Sequence, residues 1–254
     1  MFSIAALVPA APILVPELGG GARHPRDVEL SDLREAVLSA AKSLAAVADR
    51  WVVVGADRAE GEFGSETVGT FRGFGVDLRV GLSAEAVSDV RAADPGLPLS
   101  VLIGAWLRGQ VAPSGNAWAS IVAHDASAAR CGEHGARLRA RLDEDSGATG
   151  VLVVADGAAT LSASAPGYLD ERASAVQDTL DQALGAGDLA AVGALDPGLC
   201  AEVMVSGRAA HQVLAGLFDT DPTVETLYRG APFGVGYHVG LWRPSGAGAS
   251  AGAA

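Results

Sequence analysis

The sequence predicts an α/β fold: a single domain whose central mixed sheet is covered by helices on both faces. Short apolar runs alternate with segments of helical periodicity along the 254 residues, the layout that buries a sheet between helices. Hydrophobic residues make up 49% of the chain, enough for a sizeable core and too many for extended disorder. No linker or internal repeat divides the chain, so residues 1–244 are expected to form one domain and the Gly/Ala/Ser tail at 245–254 to be disordered.

Taken in order, Ser3–Val8 is expected as a buried strand. Leu30–Asp49 follows as a helix, with Leu33, Val37, Leu44 and Val47 at helical spacing. Trp51–Gly55 is a second buried strand, and Val76–Val80, Leu99–Ile103 and Trp118–Ala123 are further strand candidates. Ser127–Leu142 reads as a helix with Ser127 as its N-cap. Gly150–Ala155, an unbroken Gly-Val-Leu-Val-Val-Ala, is a core strand. After a loop from Asp156 to Pro166, Tyr168–Leu184 is a helix. Asp196-Pro197 pairs an N-cap with proline at the first helical position and opens a helix to about Phe218. The last strand, Val235–Trp242, sets Gly234, Gly236 and Gly240 on the face that also carries His238, so another backbone or a ligand is expected to approach that face closely.

Charge narrows the partners. A net charge of −12 argues against nucleic acid or an anionic membrane, both of which need clustered Lys and Arg. Cys131 and Cys200 have neither CxxC nor zinc-finger spacing and are expected as reduced thiols in a cytoplasmic protein. The apolar start lacks a basic region and is broken by Pro9 and Pro12, unlike a signal peptide or a membrane span. Ser162 and Ser164 lack a nucleophile elbow, and Gly19-Gly20-Gly21 lacks the Lys-Ser/Thr of a phosphate cradle.

Four stretches carry a resemblance. They are Leu7-Val8-Pro9-Ala10-Ala11-Pro12-Ile13-Leu14-Val15-Pro16-Glu17, Asp156-Gly157-Ala158-Ala159-Thr160-Leu161 with Ala165-Pro166-Gly167-Tyr168, Leu195-Asp196-Pro197, and Arg229-Gly230-Ala231-Pro232-Phe233-Gly234-Val235-Gly236-Tyr237. In this order they resemble the superfamily of class III extradiol ring-cleaving dioxygenases, which includes the catalytic chain of protocatechuate 4,5-dioxygenase and the Memo-like proteins. The resemblance implies an Fe(II) site on two His and one carboxylate, and a further His that moves protons on and off the substrate.

At the corresponding positions this chain departs from the pattern. The first ligand slot holds Ala10, and the second falls in Gly55-Ala56-Asp57 without a His. The acid/base slot holds Ala159, and the acidic slot of the late helix falls at Val205 or Ser206. What is expected is therefore a vestigial cleft formed by Ala10, Asp57, Asp156, Ala159, Val205 and His238, with no catalytic residue and no cofactor, Fe(II) included. Asp57, His124 and His238 are the candidates for a relocated metal site. His24 and His134 sit in charged surroundings and His211 on the late helix, where packing or solvent accounts for them.

Two functions from different classes remain. One is a non-catalytic binding or interaction protein, with an unknown small molecule or protein as partner and a homodimer possible. The other is an oxidoreductase or hydrolase with a relocated metal site.

Overall fold

The computed structural model describes residues 1–19 and 27–245. His24, Gly20, Gly21 and the tail beyond 245 lie outside the described residues. The chain runs through β1 (Phe2–Val8), α1 (Asp27–Val47), β2 (Arg50–Asp57), β3 (Gly61–Phe63), β4 (Val68–Thr70), β5 (Arg79–Gly81), α2 (Ala84–Ser88), α3 (Leu99–Val111) and β6 (Asn116–Ala123). It continues through α4 (Ala128–Asp143), β7 (Thr149–Val154), α5 (Ala173–Ala186), α6 (Leu189–Gly193), α7 (Pro197–Glu202), α8 (Arg208–Gly216), β8 (Thr223–Gly230) and β9 (Tyr237–Arg243).

Seven strands form one mixed sheet in the order β3-β6-β2-β7-β1-β9-β8. The four strands from β6 to β1 are parallel, whereas β9 runs antiparallel to β1, β8 to β9 and β3 to β6. Parallel neighbours need both faces covered. Alternation along β1 provides this: Ile4, Ala6 and Val8 face the layer containing α1 and α3, while Phe2, Ala5 and Leu7 face the layer containing α4, α5 and α8. β4 and β5 make a separate two-stranded ribbon.

Buried arginines close the gaps between elements by donating to main-chain carbonyls. Arg108, 3% exposed, joins Gly81 to the end of α3 through Ala112, Pro113 and Gly115. Arg208, also 3% exposed, donates to His124 O and Ala126 O at 2.6 Å each and to Gln212 Oε1 at 2.8 Å. It thereby fastens the loop after β6 to the start of α8. α4 and α8 cross so tightly that a Cβ on Gly135 would overlap the Val213 carbonyl oxygen, and one on Gly216 that of Gly132.

Four expectations need correction. Leu99–Ile103 opens α3 and is not a strand; Ser100 to Ile103 are all buried, and a short apolar run has no period that separates the two states. The helix expected from Tyr168 begins at Ala173, because Tyr168 takes a left-handed φ of 60° after Pro166-Gly167. The late helix is broken into α7 and α8 by Met204, with a φ of 58°, and by Gly207, whose N–H bonds to Asp156 O at 3.1 Å. Val76–Val80 shrinks to Arg79–Gly81 because Val76 and Leu78 belong to a turn closing on Phe71. The edge strand β8, with its mostly exposed or half-buried Thr-Val-Glu-Thr-Leu-Tyr-Arg-Gly, lacks the apolar signal and was not foreseen.

Candidate functional site: the carboxyl ends of the parallel strands

Register places the candidate residues at one end of the sheet. Val8 pairs with Val154 and Val54 with Val153, so Ala10 and Asp156 each lie two residues past a strand end, and Asp57, the last residue of β2, stands at the same level. β9 is antiparallel to β1, so its first residues, Tyr237 and His238, lie at that end too. In open α/β sheets this end is where ligands bind.

At the centre of this sheet end stands Asp156, part-buried. Its Oδ1 accepts the Ala10 N–H at 2.8 Å. Burial pushes the carboxyl up to about 7, against the smaller opposing pull of that N–H, so near neutrality it retains its proton in a large fraction of molecules. On the same face stands Tyr237, 5% exposed. Its phenol is raised by burial first, then by Asp156 and Tyr228. Ala10, Ala159, Tyr228 and Phe233 are half-buried against this layer.

The loop carrying Asp156 is fixed on all sides. Gly157 N–H donates to Gly236 O and Gly236 N–H to Ala158 O, both at 2.8 Å, and Gln177 Oε1 accepts the Ala158 N–H at 2.8 Å. A Cβ on Gly157 or Gly236 would overlap Gln177 Oε1, so at Gly236 it is a side chain that approaches the glycine face, while at Gly240 it is the Glu225 main-chain oxygen. Further along, Ala159 N–H donates to Val203 O at 3.3 Å and Leu161 N–H to Gly234 O at 3.1 Å. Three non-glycine residues with left-handed φ, Tyr168, Met204 and Phe233, adjoin this loop. Such strain costs about 1–3 kcal/mol per residue and gathers around functional sites.

On the opposite face lies a buried polar group. His238 Nδ1 and Asp181 Oδ1 are 3.3 Å apart, at 5% and 8% residue exposure. His211, 3% exposed, bonds to the Asp156 main chain, and burial, then His238, pushes its ring down to about 4. His211 Nδ1 and His238 Nε2 have no hydrogen-bond partner among the described residues.

The expected cleft is thus divided between two layers. Ala10, Asp156 and Ala159 meet on one face, and Asp57 ends β2 at the same level. Val205, 5% exposed, packs in the layer on the other face, where His238 meets Asp181. Asp57 Oδ1 accepts the Arg58 N–H at 2.7 Å in its own turn, and His124 Nδ1 lies 3.2 Å from Asp57 O, the main chain at the end of the neighbouring strand. His134 is half-buried and pairs with Ser120 Oγ at 2.8 Å. Among the described residues no group of three or more His, Cys, Asp or Glu is placed to hold a metal ion. The donors do not fit the Fe(II) that the resemblance implies. Methyl groups occupy positions 10, 56 and 159, and burial favours the neutral form of the carboxyl at 156.

Gln177, Asp181 and His211 were not foreseen as parts of this region. Their signal is visible in retrospect: Gln177 and Asp181 stand four apart on the buried face of α5. A separate groove of about 540 Å³ lies between α5, α6 and α7, lined by Val176, Leu195, Leu199 and Cys200, and does not include Asp156.

No protein-family model and no curated protein matches the sequence. The fold is that of an α/β protein whose mixed sheet has a parallel core. It is similar to the crystal structure of the uncharacterized protein JW3007 from Escherichia coli K12, with a TM-score of 0.55 and 14% identity over 95% of this chain and 99% of that one. At that identity the likeness concerns the fold alone. No helix among the described residues is long and apolar enough to cross a membrane.

Proposed function

We propose that this protein is a non-catalytic small-molecule binder built on an extradiol dioxygenase-like scaffold. The observation that carries the reading is the Ala10–Asp156 contact: where the resemblance calls for an imidazole, a methyl group stands and the main-chain N–H is given to a part-buried carboxyl. Ala10, Ala159, Phe233, Tyr228 and Tyr237 make the surroundings apolar and aromatic, and Asp156 supplies one polar group to orient a ligand. That composition suits binding pockets in general. Ring cleavage would need metal donors and a proton-transferring His, and residues 10, 56 and 159 supply neither.

The test is incubation of purified protein with catechol, Fe(II) and O₂. The expected result is no ring-opened product above a heat-killed control, together with aromatic fragments shifting the amide resonances of Ala10, Asp156 and Tyr237. Ring-opened product at a rate above the control would overturn the proposal.

A further inference from the structure

We propose that the groove between α5, α6 and α7 is a docking surface for another protein, and that its occupant is an amphipathic helix whose apolar stripe is flanked by Lys and Arg. The groove holds about 540 Å³ and does not include Asp156, so its occupancy is independent of any ligand at the strand ends. Val176, Leu195 and Cys200 make a buried floor, while Ala175 and Ala194 on the rim are exposed and small, leaving room for a second backbone. The apolar surface continues past one end. There Arg172 lines the groove and pairs with Glu202 at the end of α7. Beyond that pair stand Tyr168, Leu169 and Met204, 75%, 58% and 45% exposed. Met204 Sδ covers Gly167 so closely that a Cβ there would lie 2.3 Å from it, and left-handed backbone at Tyr168 and Met204 fixes how both side chains leave the loop. Large apolar side chains held in solvent beside an apolar groove mark a protein-binding face, and Tyr and Met are enriched on such faces.

Shape and charge select the occupant. The walls come from three helices and their connections, so they offer side chains and not the main-chain edge that an extended peptide would need. A helix arrives with its own N–H and C=O groups already paired. From Arg172 to Thr179 the groove follows α5 for two turns, about 10 Å, a length that takes side chains at i, i+3, i+4 and i+7. Charge then fixes what flanks that stripe. Between Gly157 and Gly207 the chain carries seven Asp and Glu and a single Arg, half of its net charge of −12 in a fifth of its length. That Arg172 is held by two carboxylates, Glu202 and Asp170, the latter at 2.7 Å and 3.0 Å. Asp196 lines the groove as well, with Oδ1 capping α7 through the Leu199 N–H, and Asp178 is exposed beside Thr179. A second copy of this chain is disfavoured, because a two-fold interface sets a patch against itself and would bring these carboxylates together. A basic helix meets the opposite charge on the rim and apolar side chains on the floor.

The probe is a fluorescein-labelled peptide of Leu and Lys, about 14 residues or four turns long, with Leu at i, i+3, i+4 and i+7. One control has the same composition reordered so that no apolar stripe forms; in the other Glu replaces every Lys. Fluorescence anisotropy with the full chain at about 0.15 M salt, where distant charges are screened, should show the first peptide bound and each control bound roughly tenfold more weakly or not at all. Ala194→Trp fills the groove and Ala175→Lys sets a like charge on its rim. Both positions are exposed, and an unchanged thermal midpoint confirms that each variant is folded. Each should weaken the first peptide roughly tenfold. Wild-type affinity in both folded variants, equal binding of either control, or no binding at millimolar peptide would each overturn the proposal. So would a wild-type dimer in sedimentation that Ala194→Trp converts to monomer, which gives the groove to a second copy. Displacement of the peptide by an equal concentration of 1-octylamine would give it to a small amphiphile and overturn the proposal as well.

Discussion

Asp181 on α5 and His238 on β9 face each other at 3.3 Å on the α5 side of the sheet, each less than a tenth exposed. The contact joins β9, between β1 and the edge strand β8, to the helix that also holds the Asp156 loop through Gln177. Removing one partner leaves a buried polar group unpaired, which costs more than the pair contributes. Asp181→Leu should lower unfolding stability by about 2–3 kcal/mol, and combining it with His238→Phe should recover part of the loss. Urea unfolding of both single variants and the double variant measures the coupling; strictly additive losses would show that the pair does not interact.

Asp156 and His211 impose opposite pH dependences. Asp156 is raised from 3.8 to about 7 in the folded chain, which then holds a proton that the unfolded chain has released, so its contribution falls as pH rises between those values. His211 is lowered from 6.5 to about 4, so the unfolded chain takes up the proton first, and stability falls as pH drops through that interval. Each is worth on the order of 3–4 kcal/mol across its window. In the overlap, about pH 4.5–6.5, the slopes of these two groups offset one another. Asp156→Asn should make stability rise more steeply with pH there, and His211→Asn should make it fall; denaturant midpoints at three pH values read both slopes.

Arg208 is a buried cation whose acceptors are two carbonyls and one amide oxygen. Arg208→Met should cost about 2–4 kcal/mol, since Ala126 O, His124 O and Gln212 Oε1 lose their donor together. Arg208→Lys should not restore it, because one ammonium cannot span the fork of a guanidinium. A Lys variant with wild-type unfolding stability would refute this account.

The sheet's inner strands were legible because β1, β2 and β7 are runs of apolar residues buried on both faces. The helix boundaries around the strand ends were not. Tyr168 and Met204 adopt left-handed backbone without glycine or asparagine to announce it, since tertiary bonds from the 156–167 loop override local preference. Ala10 and Asp156 could be placed at the same sheet end from the strand pattern. Their bond could not, because it depends on a main-chain N–H that no side-chain identity encodes.

The crossing of α4 and α8 at Gly135 and Gly216 brings backbone against backbone, with no side chain between to be exchanged for another. Elsewhere in the core a leucine can give way to a methionine with small adjustment; here the smallest addition, one methyl group, must separate the helices. Invariance at these two positions in any set of descendants or laboratory-selected variants would therefore reflect architecture, not chemistry, and searches for functional residues guided by such invariance would be drawn to the wrong face of the molecule.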